Sequence, residues 1–147
     1  MSEPDPFSVI DTIIAAWKAG DLETVLAQLT DDVEMIYAIG QKPLQGKAEV
    51  RDMLSKLGGN QTDVRWRILN RARAGDVVFV EGVDDFVNAK GHRVQHPYVS
   101  VYEFEGGRVR RWRDYFDLRT MLRSEEGKPP SEWLLPLISD ERKGVTA

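Results

Sequence analysis

Cysteine is missing from all 147 residues, so neither a disulfide framework nor a thiolate metal site is available. Histidine is scarce, with two residues, too few for a histidine-rich metal centre. No excess of basic charge is present: 20 Lys and Arg face 24 Asp and Glu for a net charge of -4, which gives no reason to expect a nucleic-acid partner. The cluster Arg108, Arg110, Arg111 and Arg113 reads instead as a solvated strand face or the rim of a dimer. Long apolar runs are also absent. Trp133 to Ile138 is far too short to span a bilayer, and Met1 to Pro6 lacks the basic and apolar regions of a signal peptide. A cytoplasmic protein with no membrane partner is expected. Neither an internal repeat nor a low-complexity segment interrupts the chain.

What remains is an ordinary globular composition, 41% hydrophobic and 30% charged, and one domain by length. Ile10, Ile13, Ile14 and Trp17 recur at helical spacing and predict a helix over 6–19, with Gly20 at its C-terminal cap. Asp21 caps a second short helix with the stripe Leu22, Val25, Leu26 and Leu29. A short strand over 33–38 and a loop from Gly40 to Gly46 follow. Val50, Met53, Leu54 and Leu57 then mark a third helix, stopped by Gly58-Gly59. From Val64 the period changes to two. Strands are predicted at Val64 to Ile68, Val77 to Val87, Val94 to Phe104 and Arg108 to Leu118, joined by tight glycine-containing turns as an antiparallel meander. Helices early and strands late give the class α+β. The domain is assigned to residues 1–123, and 124–147 to a C-terminal extension. Its Trp133, Leu134 and Leu135 are candidates to cover a cavity mouth or a partner subunit, or to remain unordered.

Two aspartates interrupt apolar strand faces. Asp84 is in phase with Val78, Val80 and Phe86, and Asp114 with Trp112, Phe116 and Leu118, because successive strand side chains alternate between faces. A carboxylate facing an apolar interior costs several kcal/mol unless it is paired or protonated. Two such residues on separate strands point to an acid–base site. On the intervening strand one face reads Val94, His96, Tyr98, Ser100, Tyr102 and Phe104, and the other Gln95, Pro97, Val99, Val101 and Glu103. Both are mixed, and parity alone does not choose between them. With His96 inward, the concave side gathers His96, Tyr98, Asp84, Asp114, Trp66 and Trp112, a polar cluster in an aromatic cup. Each has a structural alternative: bonded buried aspartates, a satisfied histidine, packed tyrosines at Tyr37 and Tyr98. Tyr115 and Asp117 take the opposite parity and are expected on the outer face. His96 with the two aspartates matches no specific metal spacing, so neither metal nor cofactor is expected.

The stretch from Glu81 to Asp84 and the string Trp112-Arg113-Asp114-Tyr115-Phe116-Asp117 resemble the limonene-1,2-epoxide hydrolase and SnoaL-like families. These belong to the superfamily of nuclear transport factor 2, which also holds ketosteroid isomerase. With the Gly46-Lys47-Ala48-Glu49 helix entry, the resemblance extends over about residues 7 to 123. It implies a curved, mixed, mainly antiparallel sheet wrapped by three helices into a cone with a deep apolar pocket, often dimeric, and His96 and Tyr98 on the pocket side. It also implies two aspartates bridged by an arginine, with a tyrosine and an asparagine holding the attacking water. Asp84, Asp114 and Tyr37 match. Gly82 stands at the arginine's place and Ile39 at the asparagine's.

The expected function is therefore cofactor-independent acid–base chemistry on a small apolar molecule. Asp84, Asp114, His96 and Tyr37 are the catalytic candidates, and Trp66, Tyr98, Trp112, Phe86 and Phe116 the binding residues. Epoxide hydrolysis is the first candidate reaction. Proton transfer beside a carbonyl, as in isomerases and cyclases, is the second. The alternative is a non-catalytic protein that binds a small hydrophobic ligand, having lost the arginine and asparagine. An ionised aspartate beside His96 is expected to hold it as imidazolium. A homodimer is expected to form on the convex face around Arg111, Arg113, Tyr115 and Val99.

Overall fold

Helix α1 (Pro6–Lys18) starts where the Asp5 carboxylate accepts the Ser8 amide at 3.3 Å and Pro6, which has no N–H to leave unpaired, takes an opening position. Its stripe Val9, Ile10, Ile13 and Ile14 is buried. Gly20, at φ +72°, supplies the left-handed residue that ends the helix and turns the chain to Asp21. Asp21 accepts the Thr24 amide at 3.0 Å and caps α2 (Leu22–Ala27). Strands β1 (Leu29–Ile36) and β2 (Leu44–Gln45) lead into α3 (Gly46–Gly59), which buries Val50 and Leu54. Strands β3 (Arg67–Ala74), β4 (Val77–Val87), β5 (Arg93–Glu105) and β6 (Arg108–Tyr115) form the meander, followed by α4 (Leu118–Glu125) and α5 (Leu135–Ile138). This computed structural model describes residues 2–139, so the last eight residues of the extension lie outside the described part.

Within that part the sheet has six strands in the order β2-β1-β6-β5-β4-β3. β3 to β6 pair antiparallel, and β1 lies parallel to β6, which makes the sheet mixed. The architecture is α+β, with α1, α2 and α3 packed over one face of a curved sheet. One apolar cluster joins the helix stripes to Trp66, Val78, Val80, Tyr98, Tyr102 and Trp112 on that inner face. Each aliphatic side chain buried there contributes on the order of 1.5–3 kcal/mol. Among the described residues, no helix is long and apolar enough to cross a membrane.

Three expectations need correction. The strand predicted at Val64 to Ile68 begins at Arg67 and continues to Ala74. Trp66 keeps its inward, buried position, but the chain before it touches β4 only through the isolated Thr62–Val87 bridge and the Arg65 amide to the Asp85 carbonyl. The strand predicted to reach Leu118 ends at Tyr115. Asp117 is not an outer-face strand residue, because its carboxylate accepts the Thr120 amide at 2.7 Å and caps α4, a helix the strand pattern concealed. Of the extension's described residues, none lines the cavity. Ile138 of α5 buries against Leu69 and Val83 on the sheet's opposite face, while Trp133 is 80% exposed.

Candidate active site

The register of the meander assembles the site. Asp84 on β4 lies directly opposite His96 on β5, and Ser100, four residues further along β5, lies opposite Asp114 on β6. All four point to the face covered by the helices. There Asp84, Asp114, His96, Tyr37, Trp66, Tyr98, Trp112 and Phe86 line one cavity. Phe116, just past the end of β6, packs behind it with its ring centroid 4.9 Å from His96 and 6.2 Å from Tyr37. The inner space is small, about 60 Å³. A groove of about 500 Å³ shares the side chains of Trp17, Leu54 and Gln61 with it. A larger hollow of about 790 Å³ lies elsewhere, along the charged N-terminal edge near Asp5, Arg73 and Glu105, and holds none of these groups.

The two carboxyls have unlike surroundings. Asp114 Oδ1 accepts the Ser100 hydroxyl at 2.5 Å and the Trp112 indole N–H at 2.9 Å. Asp84 Oδ2 instead faces His96 Nε2 at 3.5 Å, and about a third of the Asp84 side chain is open. Burial pushes the Asp84 carboxyl up to about 7, helped by the charge of neighbouring Asp85. Burial also pushes Asp114 up to about 7, with Asp84 adding to the rise, while the bonds from Ser100 and Trp112 oppose it by favouring the charged form. Tyr37 is raised to about 12, first by burial and then by the nearby carboxylates, so its phenol stays protonated.

His96 is corrected from imidazolium to neutral imidazole. Its side chain is 4% exposed, and burial lowers it to about 4, outweighing the Pro97 carbonyl contact and the charge of Glu125, which favour the imidazolium. Nδ1 approaches the Pro97 carbonyl at 3.5 Å. A carbonyl only accepts, so this contact needs the hydrogen on Nδ1 and leaves Nε2 as the acceptor facing Asp84.

Position 82 lies on the same strand face as Asp84 and cannot carry an arginine in this backbone. A Cβ there would lie 2.5 Å from the Tyr98 phenolic oxygen and 2.5 Å from the Arg67 carbonyl. Glycine within a strand marks this close approach. Ile39 is 46% exposed and outside the cavity, so that place offers no polar group either.

The sequence reading overlooked several residues that line or support the site. Ser100 shares the inward face of β5 with His96, and that parity was the available signal. Gln61 brings an amide whose Oε1 accepts the Trp17 indole N–H at 3.0 Å. Trp17 was visible only as part of a helical stripe. Asp85, on the opposite face, is 1% exposed and bound by Arg67 (2.6 Å), Arg93 (2.9 Å) and Gln95 (3.0 Å). This buried ionic knot anchors β3, β4 and β5 behind the site.

A SnoaL-like domain model matches residues 10–112, well over half of the chain. The chain belongs to the SnoaL-like domain family. Epoxide hydrolase EphG of Mycobacterium tuberculosis (strain ATCC 25618 / H37Rv) is 28% identical over 115 residues, covering 78% of this SnoaL-like chain and 74% of that protein. A solved LEH-like epoxide hydrolase of M. tuberculosis superposes with a TM-score of 0.70 at 26% identity, over 81% of this chain and 87% of that one. The epoxide hydrolase/cyclase-like enzyme SalBIII, which has a role in pyran ring formation in the polyether salinomycin, shares the fold. Its TM-score is 0.71 at 15% identity, over 78% of this chain and 92% of its own. The family and the nuclear transport factor 2-like fold implied by the Trp112 to Asp117 string are therefore shown.

Proposed function

We propose that this SnoaL-like protein is a cofactor-independent hydrolase that opens a small apolar epoxide, with Asp114 as general base and Asp84 as general acid. The observation that carries this reading is the contrast between the two carboxyls. Two donors on Asp114 favour its charged form, whereas Asp84 faces a neutral imidazole and, among the described residues, receives no donor. Such separation of environments sorts an acid from a base in one apolar cavity.

In the reaction, Asp114 removes a proton from water and the hydroxide attacks an epoxide carbon. The C–O bond breaks, and its oxygen takes the proton held by Asp84. A diol leaves, and the proton gained by Asp114 returns through solvent to Asp84. Tyr37, still protonated, donates its O–H to hold the water in this reading. Trp66, Trp112 and Phe86 contact the apolar body, with Phe116 behind them, and the groove beside Trp17 and Gln61 offers room for whatever exceeds the inner space. The test is incubation with a panel of apolar 1,2-epoxides in ¹⁸O-labelled water. One labelled oxygen should enter the diol, and Asp114→Asn should abolish its formation. A panel left unhydrolysed by the wild-type protein sinks the reading.

Proton transfer beside a carbonyl is the second reading, favoured by Ile39, which leaves the water without the expected amide. Deuterium exchange into an enolisable ketone, dependent on Asp114, separates it from hydrolysis. Ligand binding that survives Asp114→Asn, with no turnover of either kind, would favour a binding protein.

The assembly proposed for the protein is a homodimer. On the convex face Phe79, Val99 and Tyr115 are 43%, 38% and 40% exposed, adjacent across β4, β5 and β6 and flanked by the Arg113–Glu103 ion pair. Exposed aromatic and aliphatic groups rimmed by paired charge fit an interface core.

A further inference from the structure

One residue lies between the two carboxyls in the ladder register. On β5, His96 pairs with Asp84 and Ser100 with Asp114, and Tyr98 is the residue between them on the same face. Asp84 and Asp114 are thus its diagonal neighbours on the two flanking strands, about 7–8 Å away between Cα atoms, and its phenol leans across β4 over Gly82. Tyr98 is 4% exposed and lines the cavity.

Its hydroxyl is half used. The Trp66 indole N–H donates to the phenolic oxygen, and the two rings meet edge-on at 6.2 Å. An indole nitrogen only donates, so this bond occupies a lone pair of the phenol and leaves its proton free. Among the described residues, Trp66 is the only hydrogen-bond partner of the hydroxyl. Burial, with Tyr102 and Asp84 nearby, raises Tyr98 well above its ordinary value of 10, so the proton stays in place. Gly82, directly opposite, admits no side chain, because the phenol and the Arg67 carbonyl already fill that space. A buried donor without an acceptor is costly in a resting protein and useful where a ligand supplies the acceptor.

We infer that Tyr98 is the oxygen-binding donor of this cavity, its O–H holding the acceptor oxygen of the substrate in the space that Asp84 and Asp114 also line. This rests on the acid–base reading above for what happens to that oxygen, and it narrows the ligand class. The site takes a small neutral molecule whose polar handle is an acceptor-only oxygen, a strained ether or a ketone, in preference to an alcohol or amine. As the C–O bond breaks, or as an enolate forms, the same O–H stabilises the growing negative charge.

The probe is cyclohexanone labelled with ¹³C at the carbonyl, followed by infrared difference spectroscopy on the full-length protein. A phenolic hydrogen bond in an apolar cavity lowers the carbonyl stretch of the bound ketone below its value in hexane. Tyr98→Phe keeps the ring and removes the donor, so the band should return towards the hexane value and the ketone should bind about tenfold more weakly. Trp66→Phe keeps the donor but releases its oxygen, and should give an intermediate band. Thermal unfolding of each variant reports whether the fold persists. Should Tyr98→Phe fail to fold, 3-fluorotyrosine at position 98 preserves the shape with a more acidic O–H and should lower the stretch further. An unshifted band or unchanged affinity in the folded variants overturns the inference, as does a wild-type protein that binds no ketone. The acid–base reading fails separately. If Asp114→Asn and Asp84→Asn leave epoxide hydrolysis unchanged while the shifted band persists, that reading falls and the role of Tyr98 stands. If Asp114→Asn abolishes hydrolysis while Tyr98→Phe leaves the band in place, only the role of Tyr98 falls.

Discussion

Asp84 faces His96 Nε2 at 3.5 Å across the β4–β5 ladder, and the proton between them belongs to the carboxyl. Burial lowers the imidazole to about 4 and raises the acid to about 7, so between those values both groups are neutral. The Nδ1 contact to the Pro97 carbonyl fixes the tautomer that leaves Nε2 open to accept. In ¹⁵N spectra His96 should show the neutral, Nδ1-protonated form at pH 6. An imidazolium signature at that pH would refute this arrangement and restore the charged histidine expected from the sequence.

Removing either carboxyl should cost more than removing any wall residue of the cavity. Asp114→Asn and Asp84→Asn are each expected to lower kcat/KM for an epoxide by about 10²-fold or more, the usual size of a general acid or base contribution. Because both carboxyls titrate near 7, the rate should peak close to neutrality and fall on both sides. A flat rate between pH 5 and 9 would contradict it.

Stability should depend on pH in opposite senses for the carboxyls and the histidine. Asp84 and Asp114 have folded values raised from 3.8 to about 7, so their contribution is complete below 3.8 and is lost as pH rises towards 7. His96 is lowered from 6.5 to about 4, so its contribution is complete above 6.5 and is lost as pH falls towards 4. Urea unfolding should therefore show Asp114→Asn gaining on the wild type from pH 4 to pH 7, and His96→Gln gaining on it from pH 7 to pH 4. Parallel curves for all three proteins would show that the groups titrate normally.

Gly82→Ala should destabilise the protein although it adds a single methyl group. The new carbon would meet a backbone carbonyl and the Tyr98 phenol at 2.5 Å, and forcing them apart costs about 1–3 kcal/mol, the range for overpacked cores. Chemical denaturation measures the loss. A variant as stable as the wild type would mean that β3 and Tyr98 yield easily and that an arginine could have been accommodated.

The convex face offers a separate check. Sedimentation at tens of micromolar should give twice the chain mass, and Phe79→Glu or Tyr115→Glu should return the protein to a monomer while leaving the cavity residues in place. A wild-type monomer at that concentration rules out the proposed assembly.

Much of this was written locally. Asp5-Pro6, Gly20-Asp21 and the alternation of Val78, Val80, Asp84 and Phe86 each act within a few residues, through caps, a left-handed glycine and strand parity. They therefore place α1, α2, β4 and the inward aspartates from sequence alone, and the string from Trp112 to Asp117 places the family. Where local signals competed, the reading slipped: Asp117 continued an apparent strand but had a Thr120 amide to cap, and the Arg-rich run after Trp66 concealed β3. Other features depend on residues distant in the chain. The charge of His96 is set by burial among elements far from it in sequence, and the fate of position 82 by a phenol sixteen residues later and a carbonyl fifteen residues earlier. Parity predicts which face a carboxyl takes. Its protonation state depends on how completely the surrounding chain removes it from water, and that is a property of the packed fold.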